Sequence, residues 1–203
     1  MNNRYPKAFL LSVALTGTFF FLITYLFSAL GVLSLSEPGL FNTQNTGLTL
    51  SLIALQFFLP ALALGLYNFL NNKFPNNSLD SFSLSLSNLV LGICVAMLFF
   101  GYLKLYTLIT FLILFVLLLY VEYKNKLRFM YRFYRTYAAL LIPFYLLCIF
   151  IKKQSQLVFN ENATLKLNLI YLPIEVYFYF MGMLLVAVYL FEFFKSKKLD
   201  THG

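Results

Sequence analysis

Residues 168–192 read N-L-I-Y-L-P-I-E-V-Y-F-Y-F-M-G-M-L-L-V-A-V-Y-L-F-E. They form the core of an apolar run from Leu167 to Phe194 that is long enough to cross a bilayer as a helix, which takes about 20 apolar residues. Early in that run stands one carboxylate, Glu175, with no basic residue near it in sequence. An acidic side chain inside a membrane helix costs on the order of 2.5–3.5 kcal/mol on insertion scales, so it marks a functional site by default. The competing reading is a glutamate close enough to the interface to be hydrated.

The rest of the chain extends this pattern. Of 203 residues, 61% are hydrophobic, 20% aromatic and 11% charged, and the mean hydropathy is +0.81. That composition excludes an ordinary soluble domain and indicates a polytopic membrane protein. The net charge of +8 would suggest nucleic acid in a soluble protein. Here the bases lie between apolar runs and act as topology signals, so nucleic-acid binding is not expected. Cys94 and Cys148 both fall inside apolar runs, and His202 is in the polar tail. Neither a disulfide framework nor a metal site is supported, and no cofactor is expected.

Six helices are predicted, giving an all-α polytopic fold. Helix one spans Ala8–Leu33, too long for a signal h-region and therefore read as a retained signal-anchor. Helix two spans Leu48–Leu70 and contains Gln56 and Pro60. Helix three spans Phe82–Leu103, its S-F-S-L-S-L-S-N opening included. Helix four, Leu105–Val121, follows a tight turn at Lys104. The basic, aromatic stretch Glu122–Arg135 is expected along the membrane surface. Helix five spans Thr136–Ile151 and helix six Leu167–Phe194. With both termini cytoplasmic, eleven Lys and Arg lie inside and four outside. The positive-inside rule therefore puts both ends in the cytoplasm, and the expected location is a bacterial inner membrane.

An internal repeat is also expected. Phe41-Asn42 and Phe159-Asn160 each sit in the outer loop of a helical hairpin, followed fourteen and fifteen residues later by Gln56 and Glu175. Helices one and two then resemble helices five and six as a parallel repeat, with Gln56 and Glu175 at similar depth around one cavity. The corresponding division is a first repeat over 1–80, a connecting helix over 81–103 and a second repeat over 104–203, all within one membrane domain.

The stretches L-K-L-Y-T-L-I-T-F (103–111), R-F-Y-R-T-Y-A-A-L-L-I-P-F (132–144), V-F-N (158–160) and L-P-I-E (172–175) resemble the membrane-embedded, heterodimer-type or tandem lycopene cyclases. The first half is similar to the family's other repeat through L-T-G-T-F-F-F (15–21), L-G-V (30–32), Phe41-Asn42 and T-G-L (46–48). The family pattern has Pro-x-Glu-Glu or Pro-x-Glu-Asp in each repeat. This chain has Ala54-Leu55-Gln56-Phe57 in the first and Pro173-Ile174-Glu175-Val176 in the second. Ile23 and Thr24 occupy the places of the family's Trp-Asp, and the chain has no tryptophan.

The resemblance implies proton-initiated, redox-neutral ring closure on a linear carotenoid or related isoprenoid. That chemistry needs an acid held protonated in a dry pocket and aromatic faces towards the cation. Glu175 is the candidate proton donor. Gln56, Asn160, Asn168, Tyr171, Tyr179 and Gly182 are candidate substrate-binding residues, with Gly182 leaving room for a polyene. The expected partners are membrane lipid, a hydrophobic polyene or isoprenoid ligand and a membrane protein partner. The alternative function is a catalytically inactive member of the fold, serving as a carotenoid- or lipid-binding or structural subunit.

Overall fold

In the computed structural model the described residues are 5–34, 50–75, 80–124, 128–153, 158–160, 162–169 and 172–196. Phe41, Asn42 and Tyr171 lie outside them. Six α-helices are present: α1 (Tyr5–Ala29), α2 (Leu50–Lys73), α3 (Asp80–Phe100), α4 (Leu105–Leu119), α5 (Met130–Lys153) and α6 (Ile174–Ser196). A π-helical turn over Tyr120–Lys124 prolongs α4. Four short strands complete the order: β1 (Leu33–Ser34), β2 (Val158–Phe159), β3 (Asn168–Leu169) and β4 (Leu172–Pro173).

Among the described residues, four helices are long and apolar enough to cross a bilayer: Pro6–Ala29, Phe82–Phe100, Leu105–Lys124 and Ile174–Ser196. The chain is a membrane protein of helical architecture. Apolar side chains such as Leu10, Leu22, Phe99 and Ile142 remain exposed around the bundle, as lipid-facing positions do. α2 and α5 are diluted by polar residues near one end, N-F-L-N-N-K in α2 and M-Y-R-F-Y-R in α5.

α6 is the centre of the bundle and packs against α1, α2, α4 and α5, while α3 lies outside against α4 and α5. Its sequence is apolar on all sides, and Phe180, Leu184, Leu185, Val188 and Phe191 are buried. A helix hydrophobic all round is what an interior position requires.

Several boundaries differ from the sequence reading, each for a local reason. α1 stops at Ala29 because Gly31 takes φ +67°. The Gly31 amide donates to the Ser28 carbonyl (3.1 Å), and the Val32 amide to that of Phe27 (2.9 Å). That is a Schellman termination, for which glycine carries no Cβ penalty. α6 starts at Ile174 rather than Leu167. Pro173 lacks an amide proton and forces Leu172 into an extended conformation, so the segment before it pairs as a hairpin, Asn168 with Pro173 and Leu169 with Leu172.

The stretch expected along the membrane surface is in part the first turns of α5. Phe129 and Phe133, and Met130 and Tyr134, are buried pairs four residues apart, so they share one helical face. Arg132 and Arg135 turn instead to Glu192 and to the end of α2.

Candidate functional site

The sequence set Glu175 inside a long helix. The structure sets it in the first turn of α6, because Pro173 delays the helix. Glu192 closes the same helix seventeen residues later. At 1.5 Å per residue, about 26 Å separates the two, close to the thickness of a bilayer core. Glu175 therefore lies near one end of the span rather than at mid-depth.

Glu175 is nonetheless fully buried. Its Oε1 accepts two hydrogen bonds, from the Thr107 hydroxyl (2.6 Å) and from the Leu165 amide (2.9 Å). Its Oε2 is buried with no partner among the described residues. The loop supplying the amide is pinned to α4: Tyr106 N–H donates to the Ala163 carbonyl (3.1 Å), and the Ile174 amide donates to the Leu167 carbonyl (2.9 Å). The carboxyl is thus clamped between α4 and the loop preceding α6. One oxygen is fully engaged and the other is bare.

Beside it is a pocket of about 100 Å³ walled by α1, α2, α5, α6 and Tyr106 of α4. Its lining is apolar and aromatic, with Leu55, Leu59, Phe144, Val176, Phe180 and Met183 prominent. On α6 the lining positions 176, 179, 180 and 183 form a stripe. At 100° per residue, Glu175 falls about a quarter turn to one side of it. The carboxyl is not itself part of the wall. Phe27 meets Tyr106 edge to face (5.0 Å between ring centroids), and Phe144 stacks on Phe180 (4.0 Å).

The polar part of the wall is a three-helix network. Gln56 Nε2 of α2 donates to Thr24 Oγ1 of α1 (2.9 Å). Thr24 Oγ1 donates to the Phe20 carbonyl (2.9 Å) and is 2.9 Å from the Tyr179 hydroxyl of α6. The Tyr179 hydroxyl also reaches the Phe20 carbonyl (3.1 Å). Gln56 Oε1 is buried without a partner. Two candidates from the sequence, Gln56 and Tyr179, therefore meet in one pocket. They are joined by Thr24, which the sequence reading noted only as a departure from a motif. The shared cavity expected for Gln56 and Glu175 is lined by Gln56 but not by Glu175.

The remaining candidates lie elsewhere. Asn160 is exposed: its Nδ2 donates to the Gly31 carbonyl (3.1 Å) and its Oδ1 accepts from the Asn162 amide (2.9 Å). Those bonds tie the β2 loop to the end of α1, beside the antiparallel pairing of Leu33 with Phe159. Asn168 is exposed on β3. Gly182 is buried in α6 beside Phe20 and Leu114, which a Cβ there would touch in ordinary contact at 3.9 and 4.0 Å. Neither Asn160, Asn168 nor Gly182 lines the pocket.

A second buried carboxylate was not picked out as a site. Glu192 accepts from the Tyr67 hydroxyl (2.6 Å) and pairs with Arg132 (3.7 Å). Arg135 donates to Asn71 Oδ1 (2.9 Å) and to the Phe74 carbonyl (2.9 Å). The signal available in sequence was the i, i+3 spacing of Arg132 and Arg135, but an arginine pair does not indicate which acid it serves.

Residues 103–194 match the family model for lycopene cyclase. The match runs from the turn before α4 through α6 and includes Thr107, Glu175, Tyr179 and Glu192. No curated protein and no solved structure matches the chain.

Proposed function

We propose that this chain, a lycopene cyclase family member over residues 103–194, holds the end of a linear carotenoid or related isoprenoid in the pocket and closes a ring on it, with Glu175 as proton donor. The observation that carries the proposal is the asymmetry of that carboxyl. Oε1 takes both available hydrogen bonds and Oε2 takes none. A carbon–carbon double bond offers no hydrogen bond. An acid that protonates one must therefore present an oxygen that no protein group has claimed. Oε2 meets that requirement, and Val176, Tyr179 and Phe180 of the same helix line an apolar, aromatic-walled pocket.

The reaction is redox-neutral. Oε2 transfers its proton to a terminal double bond and leaves a tertiary carbocation. A neighbouring double bond attacks the cation and forms the new carbon–carbon bond. The Glu175 carboxylate then removes a proton from the ring, which restores the acid. Tyr106, Tyr179 and Phe180 present ring faces that stabilise the cation, and the apolar wall excludes the water that would trap it.

The proposal extends to the wider setting. Both termini are cytoplasmic in a bacterial inner membrane, all six helices span it, and α1–α2 and α5–α6 descend from one repeated hairpin. The pairing of β1 with β2, which joins the loops after α1 and α5, supports the repeat.

Expression in lycopene-accumulating cells tests the assignment. The wild-type chain is expected to convert red acyclic pigment to yellow cyclic pigment, and Glu175→Gln to abolish the conversion. Undiminished cyclisation by that variant would sink the assignment.

A second reading is favoured by one specific feature: Gln56 and Thr24 hold pocket positions where the family pattern has carboxylates. It makes the chain a non-catalytic polyene- or lipid-binding subunit of a membrane complex. Unchanged pigment together with co-purification of a polyene or a partner chain is its expected outcome.

A further inference from the structure

We infer that the pocket binds an isoprenoid whose buried end carries a hydroxyl group more tightly than one with a bare hydrocarbon end, which it still admits. This rests on reading the pocket as an isoprenoid site and concerns which isoprenoid it prefers.

The inference starts from the Gln56 amide. The residue is 8% exposed and sits in the wall of the pocket. The Thr24 hydroxyl is placed to donate to the Phe20 carbonyl, and towards Gln56 its Oγ1 acts as acceptor. That pairing orients the amide, with Nε2 towards Thr24 and Oε1 away from it. The Tyr179 hydroxyl proton is taken up within the same network, by Thr24 or by the Phe20 carbonyl. Oε1 is left as a buried acceptor with no protein donor.

An amide oxygen buried without a donor is unfavourable, and most such groups in folded proteins are satisfied. A ligand end made only of carbon and hydrogen would seal it off unsatisfied. A hydroxyl end would donate to it, while its chain lies against Leu55, Leu59, Phe180 and Met183. Sites that hold such an acceptor discriminate against ligands lacking the donor, because the protein group is then left unpaired. An ether of the same shape has the oxygen but no proton, so it counts as lacking the donor.

Competition binding on the purified full-length chain tests this. Radiolabelled geranylgeraniol is displaced by unlabelled geranylgeraniol, by its methyl ether and by the hydrocarbon of the same skeleton. In the wild-type protein the alcohol is expected to bind about tenfold more tightly than the other two. In Gln56→Leu the three are expected to fall within twofold of one another. The methyl ether arm uses the unmodified protein, so the donor requirement is tested even if the variant does not fold. Equal affinities in the wild type would overturn the inference and leave the isoprenoid reading standing. That is also the result expected if water satisfies Oε1. A preference for alcohol that survives in folded Gln56→Leu would overturn it as well. Binding of none of the three would overturn both the inference and the reading beneath it.

Discussion

Thr107→Val and Thr110→Val are the same substitution one turn apart on one helix, and the structure requires only the first to destabilise. Both threonines are buried in α4, 0% and 2% exposed. Valine matches threonine in shape, and the two have similar helix propensity, so packing and backbone terms nearly cancel between the variants. What differs is the hydroxyl. Thr107 donates to Glu175 Oε1 at 2.6 Å, whereas the Thr110 oxygen is buried without a partner. A hydrogen bond to a protonated, neutral carboxyl contributes about 0.5–1.5 kcal/mol, and a buried unpartnered polar group is a cost that its removal relieves. For a chain of this size 1 kcal/mol corresponds to about 2–4 °C. Thr107→Val is therefore expected to lower the melting midpoint by about 1–6 °C. Thr110→Val is expected to leave it unchanged or raise it by up to about 4 °C. The chain has no tryptophan, but Cys94 is buried and Cys148 half-buried, and neither is in a disulfide. A thiol-reactive fluorophore added to the detergent-solubilised protein during a thermal ramp thus reports unfolding. Equal shifts in the two variants, or no loss of stability in Thr107→Val, would refute the account of how Glu175 is held.

Two further outcomes can be read in the same assay. Tyr67→Phe removes the 2.6 Å bond to Glu192 and is expected to cost about 1.5–3 kcal/mol. In a Glu192→Gln background the same change should cost less, since the pair is coupled; strict additivity would argue against the contact. A methyl group at Gly17 would land on the Phe57 ring where α1 crosses α2. Gly17→Ala is expected to cost about 1–3 kcal/mol through overpacking. Adding Phe57→Leu should recover part of the loss, and a double variant no better than the single one would show that the clash is relieved elsewhere.

How much of this was legible in advance depended on the range of the interaction. The helices could be read because an apolar environment acts on every residue of a run, so composition alone marks the segment. Gly31 and Pro173 stand in the sequence, yet α1 ends four residues before the expected Leu33 and α6 starts seven residues after the expected Leu167. An apolar run looks the same on both sides of a helix terminus, and only backbone geometry separates α6 from the hairpin before it. Phe129, Met130, Phe133 and Tyr134 were read as a surface stretch for a similar reason: bases interleaved with aromatics describe both a membrane-surface segment and the buried start of a helix.

The sequence by itself determined that Glu175 is an isolated acid in an apolar run, and that Gln56 is a strongly polar side chain in the middle of its own. Those are properties of residues and their neighbours along the chain. Only the tertiary structure decided their partners. Thr107 and Leu165 engage one oxygen of Glu175. Thr24 and Tyr179 orient Gln56, and the two groups end up beside a common pocket with only Gln56 in its wall. A hydrogen bond needs donor and acceptor within about 3 Å. Residues 32, 68 or 155 apart in sequence reach that distance only when α1, α2 and α4 pack around α6.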